Sequence, residues 1–405
     1  MKFLILNTDY PEFLRWLYAQ HPGLEKQPYE EQMRARVESL FGVADFYSSN
    51  LRKLGHEAWD IHANNEFMQK AWAREHGIRI KEPTPVEQRA RTVLHRVQRI
   101  AAKTPLRYLK PLFRPVLRSL DSQQAWLYEI LAAQIKFYKP DVLLNQAMGI
   151  SSRFLQEIKP YVRLLMGQHA ATRLSDAEDF SCYDLVISSF PPTVDYFRQK
   201  GIPAELNRLG FEPRVLSWLK AEGRTFGITF VGGFSSVHRS RVVLLETLCS
   251  RFPQIKIWGP STAHLPLTSP IQKCYMSQAW GQEMYQILAS SKITLNHHGD
   301  IAPYANNCRL YEATGVGTLL ITDWKVNLHE MFEPGKEVVT YRTPEECAEL
   351  IQYYLEHDDE REAIARAGQQ RTLREHTYYQ RMQESTDILK RHLSTPKPLR
   401  FSARS

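Results

Sequence analysis

The sequence predicts an α/β protein built from two doubly wound parallel sheets that face each other across a cleft. Three observations carry that prediction. The chain has 405 residues, more than one ordinary domain holds. Short apolar runs alternate with helix-period segments through both halves. Polar and glycine-rich loops directly follow several of the apolar runs, where open parallel sheets place their ligands.

In the first half, residues 3–6, 57–62, 141–145, 161–167 and 184–189 read as buried strands. Residues 31–54 read as one long amphipathic helix ended by Gly55. Residues 66–76 and 123–139 read as two more helices, the second stopped by Pro140. In the second half, strands are expected at 226–233, 255–259, 292–296, 318–323 and 337–341, with helices at 237–252, 281–291 and 307–314. From Pro344 to Leu393 the pattern is almost wholly helical. The boundary falls in "PRVLSWLKAEG", giving domains of 1–215 and 216–393 and a flexible tail at 394–405.

Composition is that of a globular protein, 43% hydrophobic and 24% charged. "MKFLILNTDY" is too short and lacks the cleavage site of a signal peptide, and no run reaches the roughly 20 apolar residues of a membrane span. Five scattered cysteines outside CxxC spacing argue against a disulfide framework or a zinc site and favour a reducing cytoplasm. Net charge is +8, and residues 87–120, inside a helical excursion at 83–120, carry nine Lys/Arg against one Glu. Apolar residues recur between the arginines at near-helical spacing. That suits peripheral contact with an anionic membrane face, or a solvated helix with a charged outer side. One stripe without interleaved aromatics is a poor match for nucleic acid, and none is expected as a partner.

Four loops after strands carry the chemistry. "NHHGDIAPYANNCRLYEATGVG" offers His298 and Asp300, then Asn306 or Asn307 as a helix cap. Arg309 and Glu312 follow, three apart on one helix face. A carboxylate there can accept the paired hydroxyls of a ribose, and an arginine can hold phosphate, or the two can simply pair with each other. "FVGGFSSVHRSR" has the shape of a phosphate cradle: Gly232 and Gly233, then His238, Arg239 and Arg241 at a helix start, where cations oppose the dipole unless an anion is present. It lacks G-x-G-x-x-G and the Walker lysine. "LLMGQHAATRLSD" supplies His169, with Asp176 and Asp179 beyond it. "NTDYPEFLRWLYAQHPG" supplies Asp9, Tyr10 and His21 as acceptor-binding candidates.

The block "ANNCRLYEATGVGTLLITD", the strand after "EPG", and helices ending in "HTYYQR" resemble the C-terminal domain of CgeB-like bacterial glycosyltransferases, over residues 226–390. Residues 183–213 resemble the end of the same proteins' first domain. The resemblance implies the GT-B fold of two Rossmann-like domains, no metal or other cofactor, and a UDP-, GDP- or dTDP-sugar donor on the second domain. The acceptor on the first domain would be a glycan, lipid-linked or protein molecule. It also implies that Glu312 meets the ribose, that Gly232, Gly233 and the Arg239/Arg241 pair meet the diphosphate, and that helices near 371–393 return to the first domain. Retaining relatives often carry a first Glu eight residues before the ribose Glu; Tyr304 stands there. The acid–base candidates are therefore His169, Asp300 and His298. Alternatives on the same architecture are a sugar-nucleotide epimerase and a non-catalytic coat or scaffold protein. The expected location is the cytoplasm, or the inner membrane face.

Overall fold

The computed structural model describes residues 1–80, 125–170, 178–234 and 238–394. The basic segment 87–120, the wider excursion 83–120, Asp176 and residues 395–405 of the tail lie outside them.

Two six-stranded, all-parallel sheets are present among the described residues. The first orders β2 (Glu57–His62), β1 (Lys2–Asn7), β3 (Val142–Asn145), β4 (Leu164–His169), β5 (Leu185–Ser188) and β6 (Ala204–Leu206). The second orders β12 (Val339–Tyr341), β11 (Leu319–Asp323), β10 (Ser291–Asn296), β7 (Phe226–Val231), β8 (Lys256–Trp258) and β9 (Tyr275–Ser277). The central strands are buried on both faces, which is why they read as continuous apolar runs.

Three elements differ from the sequence reading. Residues 31–54 form two helices, Tyr29–Glu38 and Phe46–Lys53. Between them Leu40, Gly42 and Ala44 take positive φ, and three left-handed residues so close together end a right-handed helix. The edge strands β6 and β9 are three residues each, too short and too exposed to show a period. Neither Asn306 nor Asn307 caps the Arg309–Gly315 helix: its N-cap is Cys308, without a side-chain bond, and Asn307 instead donates to Asn296 Oδ1 at 2.8 Å.

One buried cluster runs through both domains, joining Phe3, Phe46 and Tyr47 of the first to Tyr311 and Phe332 of the second. The last helix, Tyr378–Ser394, packs back on the Phe46–Lys53 helix, with the Tyr378 ring 5.3 Å from Phe46 and 5.6 Å from Tyr47.

Candidate active site

The carboxyl ends of β1 and β7–β9 frame a cleft of about 340 Å³, within the ~300–1,000 Å³ of small-molecule sites. The first domain lines it with Tyr10, Glu12 and Phe41. The second lines it with the Gly232–Gly233 loop, His238, Arg309 and the segment Gln278–Trp280, among others.

Tyr10 and Asp9 are neighbours with opposite fates. Tyr10 is 64% exposed and lines the cleft. Asp9 is buried, accepting from Arg36 Nη2 at 2.6 Å and lying 3.0 Å from His62 Nδ1. Burial alone raises an acid's pKa, but the charges of His62 and Arg36 prevail and hold Asp9 well below the usual carboxylate range. Asp9 thus anchors the loop from behind, and its side chain is committed to the protein. His21 ends the Pro11–Gln20 helix on the exposed surface and is not among the cleft-lining residues.

The Gly-Gly loop is organised by Arg241. This arginine is buried, not presented to an anion: its guanidinium donates to Gly233 O at 2.7 Å and also binds His297 O. Burial lowers its pKa to about 10. His238 is uncharged at neutral pH, because burial and then the Arg241 charge push its pKa down to about 4. Of the three expected cations at this helix start, Arg239 is the exposed one. Asp300 accepts the Ser240 backbone N–H at 3.0 Å and also binds the Ser240 hydroxyl, so its carboxylate caps the Arg239–Arg251 helix. A β-carbon on Gly232 would come within 2.9 Å of the Phe230 ring, so that position requires glycine.

Arg309 and Glu312 lie 2.9 Å apart on one helix, both nearly buried. Arg309 also donates to Val231 O at 3.1 Å, while its buried Nε finds no acceptor among the described residues. Burial raises the Glu312 pKa and the Arg309 charge partly offsets it. Arg309 lines the cleft, and its positive charge there suits an anionic ligand.

His298 is buried behind this loop. Its Nδ1 lies 2.7 Å from Asp323 Oδ1, and its backbone N–H donates to the same oxygen at 3.0 Å. Burial opposes ionisation of Asp323, but His298, His297 and Lys325 hold its pKa well below the usual range. His169 ends β4 with Nδ1 2.9 Å from Ala170 O; burial lowers its pKa, so it is a neutral ring. Neither His169, His298 nor Asp300 is among the residues lining the cleft.

The geometry thus gathers Tyr10, Gly232, Gly233, His238 and Arg309 in one cleft, with Glu312 paired to Arg309 beside it. Sequence reasoning missed Glu12, Phe41, Gln278, Trp280 and Asp323. Asp323 ends a strand and obeys the same carboxyl-end rule as the others. Phe41 and Trp280 carry no local signal, since they meet only across the domain junction. Among the described residues no group of three His, Cys, Asp or Glu side chains is placed to hold a metal, and no helix is long and apolar enough to cross a membrane.

Residues 239–387 match a family model described as glycosyl transferase-like. No curated protein sequence matches the chain. Among solved structures, a glycosyltransferase from Rickettsia africae is similar over 98% of this chain and 99% of its own, at 12% identity and a TM-score of 0.56. The Anabaena protein HepE, in complex with UDP and glucose, is similar over 96% of this chain and 100% of its own, at 13% identity and 0.55. AviGT4, a glycosyltransferase involved in avilamycin A biosynthesis, covers 97% and 98% at 12% identity and 0.53. The chain therefore has the GT-B fold, two facing Rossmann-like domains, and the greater part of its second domain is similar to glycosyl transferases.

Proposed function

We propose that the protein is a glycosyltransferase that moves a sugar from a nucleoside-diphosphate donor to a hydroxyl-bearing acceptor. The single observation that carries this reading is the cleft. One wall is the Gly232–Gly233 loop with the cationic Arg309; the other is Tyr10, Glu12 and Phe41 of the first domain. The donor's diphosphate would lie against the Gly-Gly loop and the start of the Arg239–Arg251 helix, where backbone N–H groups and the helix dipole stabilise the leaving group's charge. Displacing Asp300 from Ser240 would free that helix end. Glu312 would receive the ribose hydroxyls, its carboxylate already fixed by Arg309. The acceptor would enter from the first-domain side. The sequence resemblance to CgeB-like enzymes supports the same assignment of donor and acceptor sides.

The chemistry needs the bond from the anomeric carbon to the diphosphate to break as the acceptor oxygen bonds to that carbon. The leaving phosphate keeps the electron pair, and the acceptor hydroxyl passes its proton to a base lining the cleft. Tyr10, Glu12 and the neutral His238 ring line the cleft with Arg309, and the unprotonated His238 ring can take that proton. Its nine Lys/Arg would let segment 87–120 hold the enzyme at an anionic membrane face on the cytoplasmic side, near a glycan, lipid-linked or protein acceptor. Neutralising those residues should abolish binding to phosphatidylglycerol vesicles and leave nucleotide binding intact; unchanged vesicle binding contradicts that part.

A thermal-shift panel of UDP, GDP, dTDP, CDP and their sugars tests the donor site. One nucleotide should stabilise the wild type, by about 2.7 kcal/mol at 100 times its dissociation constant. The effect should vanish in Glu312→Ala. No shift with any nucleotide would favour the scaffold reading instead.

A further inference from the structure

The cleft is only as wide as the domain junction beside it allows. Gly281 opens the Gly281–Ala289 helix at φ +52°, and a β-carbon there would lie 1.8 Å from the Ser39 carbonyl oxygen. The next residue completes the contact. Gln282 donates its backbone N–H to Ser39 O at 2.9 Å and its side-chain amide to Glu38 O at 2.6 Å. Ser39 follows the Tyr29–Glu38 helix, so the amino end of a second-domain helix abuts the carboxyl end of a first-domain helix. Each supplies what the other end lacks: donors for orphan carbonyls, and opposite dipole ends.

An aromatic cluster seals the same joint. Trp280 meets Phe41 edge-on at 4.8 Å and Phe13 at 5.9 Å, and Phe41 stacks on Phe13 at 4.3 Å. Arg36, already held by Asp9, sits 4.7 Å over the Phe13 ring and donates to Phe41 O at 3.1 Å. Phe41 and Trp280 are at once the seal and part of the cleft lining. The domains also meet where β5 and β10 end, through the edge of Phe190 against Tyr304 with centroids 6.0 Å apart. That contact lies three strands along from β1 in one sheet and three from β9 in the other.

We propose that Gly281 is a positioning residue for the nucleotide cleft. Its missing side chain lets the second domain seat on Ser39, and that seat fixes the distance between the Tyr10–Phe41 wall and the Gln278–Trp280 wall. This end of the cleft is then closed before any ligand arrives, and donor binding does not require the junction to open. The proposal rests on the donor reading for its ligand, but the junction can be read without one.

The test uses the full chain in two forms, with UDP as the probe. Ser39→Cys/Gln282→Cys, oxidised, locks the seat; Gly281→Ala wedges it. The locked form should bind UDP within about twofold of its reduced form and keep the wild-type radius of gyration by solution scattering. Gly281→Ala should keep its helix content by circular dichroism, show a larger radius, and bind UDP about tenfold more weakly. A purely structural role would lower the melting temperature without moving the radius of the folded form. The proposal is overturned if oxidation weakens UDP binding about tenfold and dithiothreitol restores it. It is equally overturned if Gly281→Ala binds UDP and scatters like the wild type. If the wild type binds no UDP, a uridine donor is wrong, while the radii of the three forms still decide the junction.

Discussion

At the scale of single residues, one step along the backbone separates the cleft from the core. Tyr10 is extended, so adjacent side chains point to opposite sides, and Asp9 turns inward to Arg36 and His62 as Tyr10 turns out. Composition marks the loop after β1 as polar, but it cannot say which of two neighbours faces which way. That depends on Arg36 and His62, which lie 27 and 53 residues away. Removing the acid leaves a buried arginine unpaired, so Asp9→Ala should lose about 3–5 kcal/mol in urea unfolding at pH 7. The pH dependence has a fixed sign. The folded pKa of Asp9 is depressed, so its stabilisation is full above the unfolded value of about 4 and is lost as pH falls below it. The gap between wild type and variant should therefore narrow on acidification from pH 7 to about pH 3. A cost below about 1 kcal/mol would mean the trio is not a buried anchor.

Elements with a strong period were legible, and elements defined by their neighbours were not. The strands at 57–62 and 226–231 and the helices Pro344–Glu356 and Tyr378–Ser394 follow from apolar spacing. The edge strands β6 and β9 exist because β5 and β8 offer them a partner. The break after Glu38 is set by the junction, where Ser39 and Phe41 meet the second domain. The helix carrying Arg309 and Glu312, expected at 307–314, runs Arg309–Gly315; Gly317 takes φ +78° just past its end, and a β-carbon on Gly315 would lie 2.4 Å from the Phe211 ring. Gly315→Ala should cost about 1–3 kcal/mol through overpacking. Because Glu312 lies on that helix, nucleotide affinity should fall as well, which calorimetric titration would detect. Wild-type stability in this variant would show that the linker gives way freely.

For the whole molecule, the question is whether two domains behave as two. Residues 207–225 join the sheets, and the joint is crowded. Asn50 donates to Glu212 at 2.6 Å, Arg214 pairs with Asp45, and Phe211 exchanges backbone hydrogen bonds with His376 and Tyr378 at 2.8 and 2.9 Å. With a buried cluster common to both halves, the chain should melt in one calorimetric transition, and halves cut near residue 215 should not fold apart. Two resolved transitions would contradict this. The sequence revealed two sheets and their facing loops, because each sheet is patterned on its own. Of the joint, only the return of the helices near 371–393 to the first domain was expected, from the family resemblance; contacts such as that of Glu38 with Gln282 were not.

The measurement that bears most directly on the central claim is the position of a bound nucleoside diphosphate in a crystal of the protein soaked with UDP. The diphosphate should lie against Gly232, Gly233 and the first turn of the Arg239–Arg251 helix, with the ribose at Glu312 and Asp300 withdrawn from Ser240. Density for UDP elsewhere on the molecule, with the cleft still empty and Asp300 still on Ser240, would contradict the account.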